Sequence, residues 1–302
     1  MPMLLFSEES GVAPPARLLT HAQRVARRRA LGYFYLVLPL LAVMLGLFVF
    51  PILQILAKSI FEPSFTLANY ARAFRDPIYL RVLLITVKIS LLTTLGCLAL
   101  GYPMAYLMAE APPRIRGILV ALVALSLFMS LLVKNYAWTV LLQDTGVINT
   151  FLLRWGVIHK PLHLMYNLFG VLVGMTQMLL PFMILPLFSV FSGMDRTLRR
   201  ASRSLGAGSL RTFLHVTLPL TLPGVGAGAL LVFIVSLGYF ITPALLGGST
   251  EMMLSNLIEN QVHQTLNWPF ASALATLLLS FTTGSYLVYH RFFGSEKLWE
   301  RV

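Results

Sequence analysis

Residues able to do covalent or metal chemistry are sparse in this chain, and their spacing assembles no site for either. The histidines are His21, His159, His163, His215, His263 and His290. His159 and His163 stand four apart, but Pro161 between them removes the helix that would aim both rings at one ion. Cys97 is the single cysteine and lies in an apolar run, which excludes a disulfide framework and a cysteine metal cluster. No G-x-x-x-x-G-K-[ST] loop occurs to cradle a nucleotide, and no Ser/His/Asp or Cys/His grouping forms a nucleophilic centre. What remains is chemistry of another kind: polar groups set inside oil, and a basic, glycine-broken stretch, "ASRSLGAGSLRTFLHVTLPLTLPG" (201–224).

The elements that must position these groups are membrane helices. Of the 302 residues 57% are hydrophobic and 11% charged, with a mean hydropathy of +0.79. Soluble chains carry about 25% charged residues. The fold class expected is an all-α polytopic membrane protein with six spans, near 33–56, 82–108, 117–140, 167–191, 223–246 and 269–291. The first is too long and too far into the chain for a cleaved signal peptide and reads as an anchor. "VKNYAW" (133–138) interrupts the third, where Lys134 is expected to snorkel at the outer interface while Tyr136 and Trp138 join an aromatic belt. Lys88 is expected to snorkel outward from the second.

A net charge of +12 suggests nucleic acid only if a soluble domain carries it. Here it sits in short loops and reports topology. The N-terminal segment holds Arg17, Arg24, Arg27, Arg28 and Arg29, and the 192–222 loop holds Arg196, Arg199, Arg200, Arg203 and Arg211. The last outer loop, 247–268, holds no lysine or arginine. The positive-inside rule therefore places both termini and the 192–222 loop in the cytoplasm. Residues 1–32 read as a basic cytoplasmic arm on anionic headgroups, with an amphipathic helix over about 17–30, and 296–302 as a cytoplasmic tail. Between them lies a permease domain, 33–295.

Within the inner loop, a helix-tolerant polar run from Asp195 to Ser204 meets "LGAGS", where Gly206 and Gly208 allow a sharp reversal. A second short helix over about Leu210 to Val216, ended by Pro219, completes a hairpin at 195–219. Leu205, Leu210, Phe213 and Leu214 give it an apolar knob that needs a surface to bury against.

This stretch resembles the cytoplasmic "EAA" loop of permease subunits of bacterial ABC importers. That pattern runs Glu-Ala-Ala, three residues, Gly, six residues, Phe, two residues, Ile, one residue, Leu-Pro. Ala201, Gly206, Phe213, Val216 and Leu218-Pro219 fall on it in register. Arg200 stands in place of the glutamate and Ser202 in place of the second alanine. "GYPMAYLMA" (101–109), "KNYAWTVLLQDTGVINTFL" (134–152), "LLPFMILPL" (179–187) and residues 218–248 are similar to the spermidine/putrescine-type branch, and within it to the first of two permeases. The resemblance implies a type I (MetI-like) permease fold in the bacterial inner membrane and a non-catalytic subunit. It implies as partners a second permease, two ATP-binding subunits and an extracytoplasmic solute-binding protein, besides membrane lipid. No cofactor is expected on this chain; ATP and magnesium belong to the partner ATPase. Ala201, Ser202, Leu205, Gly206, Leu210, Phe213 and Pro219 are the expected ATPase-coupling residues.

For the solute path the candidates are Gln177 in the fourth span and Ser236, Tyr239, Phe240 and Thr242 in "SLGYFITPALLGG", where Pro243 is expected to break the helix. Gly224 and Gly228 form a small-xxx-small face read as helix packing. The solute expected is a small organic cation such as a polyamine. Permeation of another small organic solute (an amino-acid derivative, opine or phosphonate) stays open, as does an ion-coupled secondary transporter, although no repeat relates the two halves.

Overall fold

The computed structural model describes residues 37–62 and 65–293; the basic arm and the tail expected at the two ends lie outside the described residues. No strand occurs among them. The chain divides at Ala57/Lys58 into two units. Helix α1 (Val37–Phe61), with a π turn at Leu45–Val49, supplies the described part of the first as far as Ala57. The second holds eleven further helices: α2 (Ala68–Arg75), α3 (Pro77–Glu110), α4 (Pro113–Phe128), α5 (Leu131–Leu142), α6 (Val147–Arg154), α7 (Leu168–Gly193), α8 (Arg196–Ser204), α9 (Ser209–Leu237), α10 (Ile241–Leu246), α11 (Leu254–His263) and α12 (Trp268–Phe293).

Among the described residues five helices, α1, α3, α7, α9 and α12, are long and apolar enough to cross a bilayer. A sixth crossing exists only if α4 and the following Leu131–Arg154 segment count as one span, bent by 98°. Six spans are thus recovered with one of them broken. The sequence places its interruption at "VKNYAW", whereas the chain breaks earlier, at Met129-Ser130.

Local signals start and stop these helices where the sequence provides them. Asp76 caps α3 by accepting the Ile78 amide at 3.0 Å, with Pro77 in the first turn where its missing N–H costs nothing. Asn167 caps α7 by accepting the Gly170 amide at 3.0 Å. Helix α3 ends before Pro112, which disfavours helical backbone in the residue ahead of it. At 34 residues it is about 50 Å long, more than a bilayer's hydrocarbon needs, so one end projects beyond it.

The core lies where α3, α7 and α9 meet, around Cys97, Ala105, Met108, Leu179, Met183, Ile184, Leu187 and Val232. Association in lipid depends on close backbone approach rather than on hydrophobic burial. Met183 shows this: a side-chain carbon at Gly101 would lie 2.9 Å from it, and one at Gly228 would lie 2.8 Å from its sulfur. The small-residue face thus packs α9 on α7, as expected. Cys97 is fully buried and its thiol reaches the Thr176 carbonyl at 3.4 Å.

Candidate coupling hairpin and solute path

At one end of the bundle the chain leaves α7 through an extended joint, Met194-Asp195. Asp195 caps α8, its carboxylate accepting from the Thr197 hydroxyl at 2.6 Å and from the Thr197 amide at 2.8 Å. Those two bonds, the hydroxyl's foremost, hold its carboxyl below the usual carboxylate range. Helix α8 then stops in a glycine turn. The Gly206 amide donates to Arg203 O at 3.0 Å, the Ala207 amide to Ser202 O at 3.2 Å, and Gly206 sits at φ +83°. This is the Schellman closure, which needs a left-handed residue one place beyond the helix. The two legs are joined across the turn by Ser202 Oγ and Thr212 Oγ1, 3.1 Å apart.

The second leg differs from expectation. It does not end at Pro219 but runs unbroken into the fifth span as α9. A π turn at Phe213–Thr217 explains why: the Leu218 amide bonds five residues back to Phe213, and this wider turn lies immediately ahead of the proline. Leg and span are therefore one rod.

The expected coupling residues divide between two faces of the hairpin. Leu205 and Leu210 are 88% and 72% exposed at its tip, and Ala201, Gly206 and Pro219 are also exposed. Arg200, in the place of the glutamate, is exposed as well. Phe213 turns the other way. Half-buried, it packs edge-on to Tyr102 of α3 with centroids 5.8 Å apart and planes at 84°. Tyr102 in turn packs on Phe191 of α7 at 5.2 Å and shares a 2.9 Å hydrogen bond with Thr221 of α9. Phe213 thus fixes the hairpin to the bundle, while the leucines form the free knob.

The path candidates lie toward the other end of α7 and α9. Gln177 accepts a hydrogen bond from the Trp138 indole at 3.4 Å, so Trp138 faces inward rather than joining a belt; Tyr136 is exposed as expected. Trp138 and Tyr239 both border the core cluster of α3, α7 and α9. Helix α9 breaks at Gly238, Tyr239 and Phe240, not at Pro243, which falls in the first turn of α10 where proline is harmless. The break leaves the Tyr239 carbonyl to α11, whose Ser255 Oγ donates to it at 2.5 Å, while the Phe240 carbonyl opens α10 by accepting the Ala244 amide at 3.1 Å and takes a further bond from Asn256 Nδ2 at 3.0 Å. Ser236 is fully buried and its hydroxyl has no hydrogen-bond partner among the described residues. Thr242 is fully buried, its methyl filling the space a side chain at Gly174 would take. Phe240 stands at the exposed edge of the group. Ser255 and Asn256 were not singled out from the sequence; their signal is a polar helix opening, "LSN", beside a span that must break.

Lys134 also departs from expectation. It is 8% exposed and does not snorkel. Its ammonium donates to the Ser126 carbonyl and lies 3.4 Å from Ser126 Oγ. The 98° bend folds α5 back over the last turn of α4, whose carbonyls lack helix partners and attract a cation. Lys88 is exposed.

No family model matches the sequence. Curated relatives do. The chain is 38% identical over 227 residues to the spermidine/putrescine transport system permease protein PotB of Escherichia coli K12, covering 75% of this chain and 82% of that protein. PotB of Haemophilus influenzae is 36% identical over 226 residues, covering 75% and 79%. The inner membrane ABC transporter permease protein YdcU of Escherichia coli K12 is 32% identical over 247 residues, covering 77% of each. Among solved structures, a bacterial ABC transporter for import of the acidic polysaccharide alginate aligns with TM-score 0.65 at 18% identity, covering 90% of this chain and 99% of that one. A bacterial alginate ABC transporter in complex with an alginate pentasaccharide-bound periplasmic protein aligns with TM-score 0.69 at 17% identity, covering 89% and 96%.

Proposed function

This chain belongs to the spermidine/putrescine-type family of ABC importer permeases, and we propose that it forms half of the translocation path for a polyamine such as spermidine or putrescine. It is a non-catalytic membrane subunit of an ATP-driven importer and works with other subunits of that importer. On this reading it pairs with a second permease, two ATP-binding subunits that carry ATP and magnesium, and an extracytoplasmic solute-binding protein. Both termini face the cytoplasm of a bacterium, with the six-span body in its inner membrane.

The coupling step follows from the hairpin at 195–219. ATP binding draws the paired ATPases together, the docked hairpins move with them, and the cavity between the permeases opens outward to receive solute. Hydrolysis returns it inward. Leu205 and Leu210, with Ala201 beside them, enter a socket on the ATPase; Gly206 and Ser202 hold the reversal; Phe213 and Pro219 pass the movement into α9. The observation that carries this reading is the pair of leucines standing in water at the tip of a closed, hydrogen-bonded turn. A rigid turn that holds two large apolar side chains away from the bundle is built for a partner's surface.

The path itself is neutral and aromatic. Gln177, Ser236 and Thr242 offer oxygens to an ammonium, while Tyr239 and Phe240 offer ring faces to its charge and methylenes. The test is reconstitution of the four-component importer in proteoliposomes with labelled putrescine or spermidine inside a range of competing amines. ATP-dependent uptake that polyamines compete for is expected. Uptake driven by an ion gradient and indifferent to nucleotide would overturn the coupling reading. ATP-dependent uptake of other solutes but not polyamines would overturn the substrate.

A further inference from the structure

Glu110 is the last residue of α3, where a carboxylate opposes the negative end of the helix dipole. That placement is unfavourable unless a cation stands against it. Arg199, midway along α8, supplies one: its Nη2 donates to Glu110 Oε1. The same guanidinium lies over the Tyr106 ring, 5.9 Å from its centroid, with Nη1 3.5 Å from the Tyr106 hydroxyl. The Arg199 side chain is 13% exposed, so water screens this pair less than the fully exposed pairs that contribute little to stability. Arg200 and Arg203 on the same helix are exposed and enter no ion pair among the described residues. Glu110 and Asp195 are described carboxylates at this end of the bundle, and both engage α8, one holding its middle and the other capping its start.

Connectivity gives the pair its importance. The first leg of the hairpin is joined by the chain to α7 and the second leg is α9 itself, but no peptide link joins the hairpin to α3. Its ties to α3 are side chains: Arg199 on Glu110 and Tyr106 for the first leg, Phe213 on Tyr102 for the second. Tyr106 also packs on Phe191 of α7 at 5.6 Å. Without the ion pair, α8 keeps the Ser202–Thr212 tie to the second leg but is held to α3 only by the weaker contact with Tyr106, so it can pivot between its extended joint at Met194-Asp195 and its glycine turn at Gly206 and leave α3 behind.

We propose that Arg199 and Glu110 are positioning residues, a latch that delivers movement of the hairpin to α3. The proposal rests on the hairpin being the element that docks the ATPase. The latch lies on the bundle side of α8 and the exposed leucines lie at the tip, so docking and delivery are separable functions. Opening the latch uncouples hydrolysis from transport while the ATPase stays bound.

The experiment uses the complete importer in proteoliposomes and reads two quantities: ATPase retained on the affinity-purified complex, and solute taken up per ATP hydrolysed. Glu110→Gln and Arg199→Gln each remove one charge at nearly constant shape. Both are expected to retain the ATPase and to lose uptake per ATP by roughly tenfold, within the usual range of coupling between sites. Exchanging the pair, Glu110→Arg with Arg199→Glu, is expected to regain more than half of the loss. Arg199→Lys keeps the charge but not the planar stacking on Tyr106, and is expected to fall between wild type and Arg199→Gln. A melting temperature of the purified complex identifies any variant that fails to fold, and Arg199→Lys then carries the comparison. Unaltered uptake per ATP in the single-charge variants overturns the latch. So does an exchanged pair no better than either single variant, or loss of the ATPase from the single variants, which would make Arg199 a docking residue. If the latch variants behave normally while charge at Leu205 and Leu210 still releases the ATPase, the latch alone fails and the docking reading stands. If the unaltered importer moves solute without ATP, the docking reading itself fails.

Discussion

Replacing Gly206 isolates the backbone of the hairpin from every contact it makes. At φ +83° the residue occupies the left-handed region, and a side-chain carbon built there meets nothing within 4 Å. The cost of substitution is therefore conformational and not steric. An L-residue in this region costs about 1–2 kcal/mol, and a β-branched one lies at the upper end or beyond. Since about 1.4 kcal/mol is a factor of ten, Gly206→Val should lower the population of the closed turn by roughly 5- to 30-fold relative to its opened forms. Asparagine tolerates the left-handed region, so Gly206→Asn should cost only a few tenths of a kcal/mol, and Gly206→Ala should fall between. The assay is ATP-dependent uptake by the reconstituted importer, with membrane insertion checked by the yield of folded protein. The expected order is Gly, Asn, Ala, Val, with insertion unchanged throughout. The order matters more than any single value, because the three side chains all enter open space. If Asn is as damaging as Val, the site is crowded in the assembled importer and the backbone argument is wrong. If Val transports normally, the turn does not carry the coupling.

Three further outcomes follow from the geometry. Leu205→Asp and Leu210→Asp should strip the ATPase from the complex during purification while leaving the melting temperature of the isolated chain within a degree or so, because both side chains are exposed in it. Phe213→Ala should do the opposite first: loss of its edge-on contact with Tyr102 should cost about 1–2 kcal/mol of local stability, seen as faster proteolysis at 205–212, with weakened transport as a consequence. Lys134→Met should leave the Ser126 carbonyl without its donor and loosen the α4–α5 bend. Faster hydrogen exchange in 126–135 would register it, and unchanged exchange would show that the ammonium does not hold the bend.

The hairpin at 195–219 was legible in the sequence because its determinants are local. A glycine at a helix end, a polar run ahead of it and a capping aspartate act over a few residues, and the left-handed turn fell on Gly206 as the spacing predicts. Spans were legible for a similar reason, since apolar length is a one-dimensional property. Three of the misplacements concern interruptions, at "VKNYAW", Pro219 and Pro243. Pro219 and Pro243 were read as breaks, yet one follows a π turn that accommodates it and the other opens a new helix. The true breaks, Met129-Ser130 and Gly238 to Phe240, draw on side chains from the element beyond: Lys134, eight residues past the Ser126 carbonyl it bonds, for the first, and Ser255 and Asn256, each sixteen residues past its carbonyl, for the second. Whether a membrane helix can break is decided by who satisfies its freed carbonyls, and sequence periodicity does not say which residue will arrive. Phe213 was likewise expected in the exposed knob, since nothing near it in the sequence announces Tyr102.

The same requirement ties the path to the break. A helix interrupted at membrane depth holds carbonyls that must be satisfied by protein, water or solute. Here Tyr239 O is held by Ser255 of α11, and Phe240 O by the Ala244 amide together with Asn256, rather than by a carboxylate or a fixed ion. Asp144 lies in the turn between α5 and α6, Glu251 between α10 and α11, and Glu259 in α11, so on the proposed reading a polyamine meets charge at the mouth and only dipoles and rings within. That order suits a conduit. A buried carboxylate facing a desolvated ammonium would make a well too deep to leave at each turnover, whereas neutral oxygens and aromatic faces attract the cation enough to replace part of its water and still release it. On the proposed reading tight selection then falls to the solute-binding protein, and the permease's own contribution is to change which side the neutral path faces. On the same reading, that change is what the proposed latch between Arg199 and Glu110 delivers, through a hairpin turned at Gly206 and fastened to α3 as well as α9.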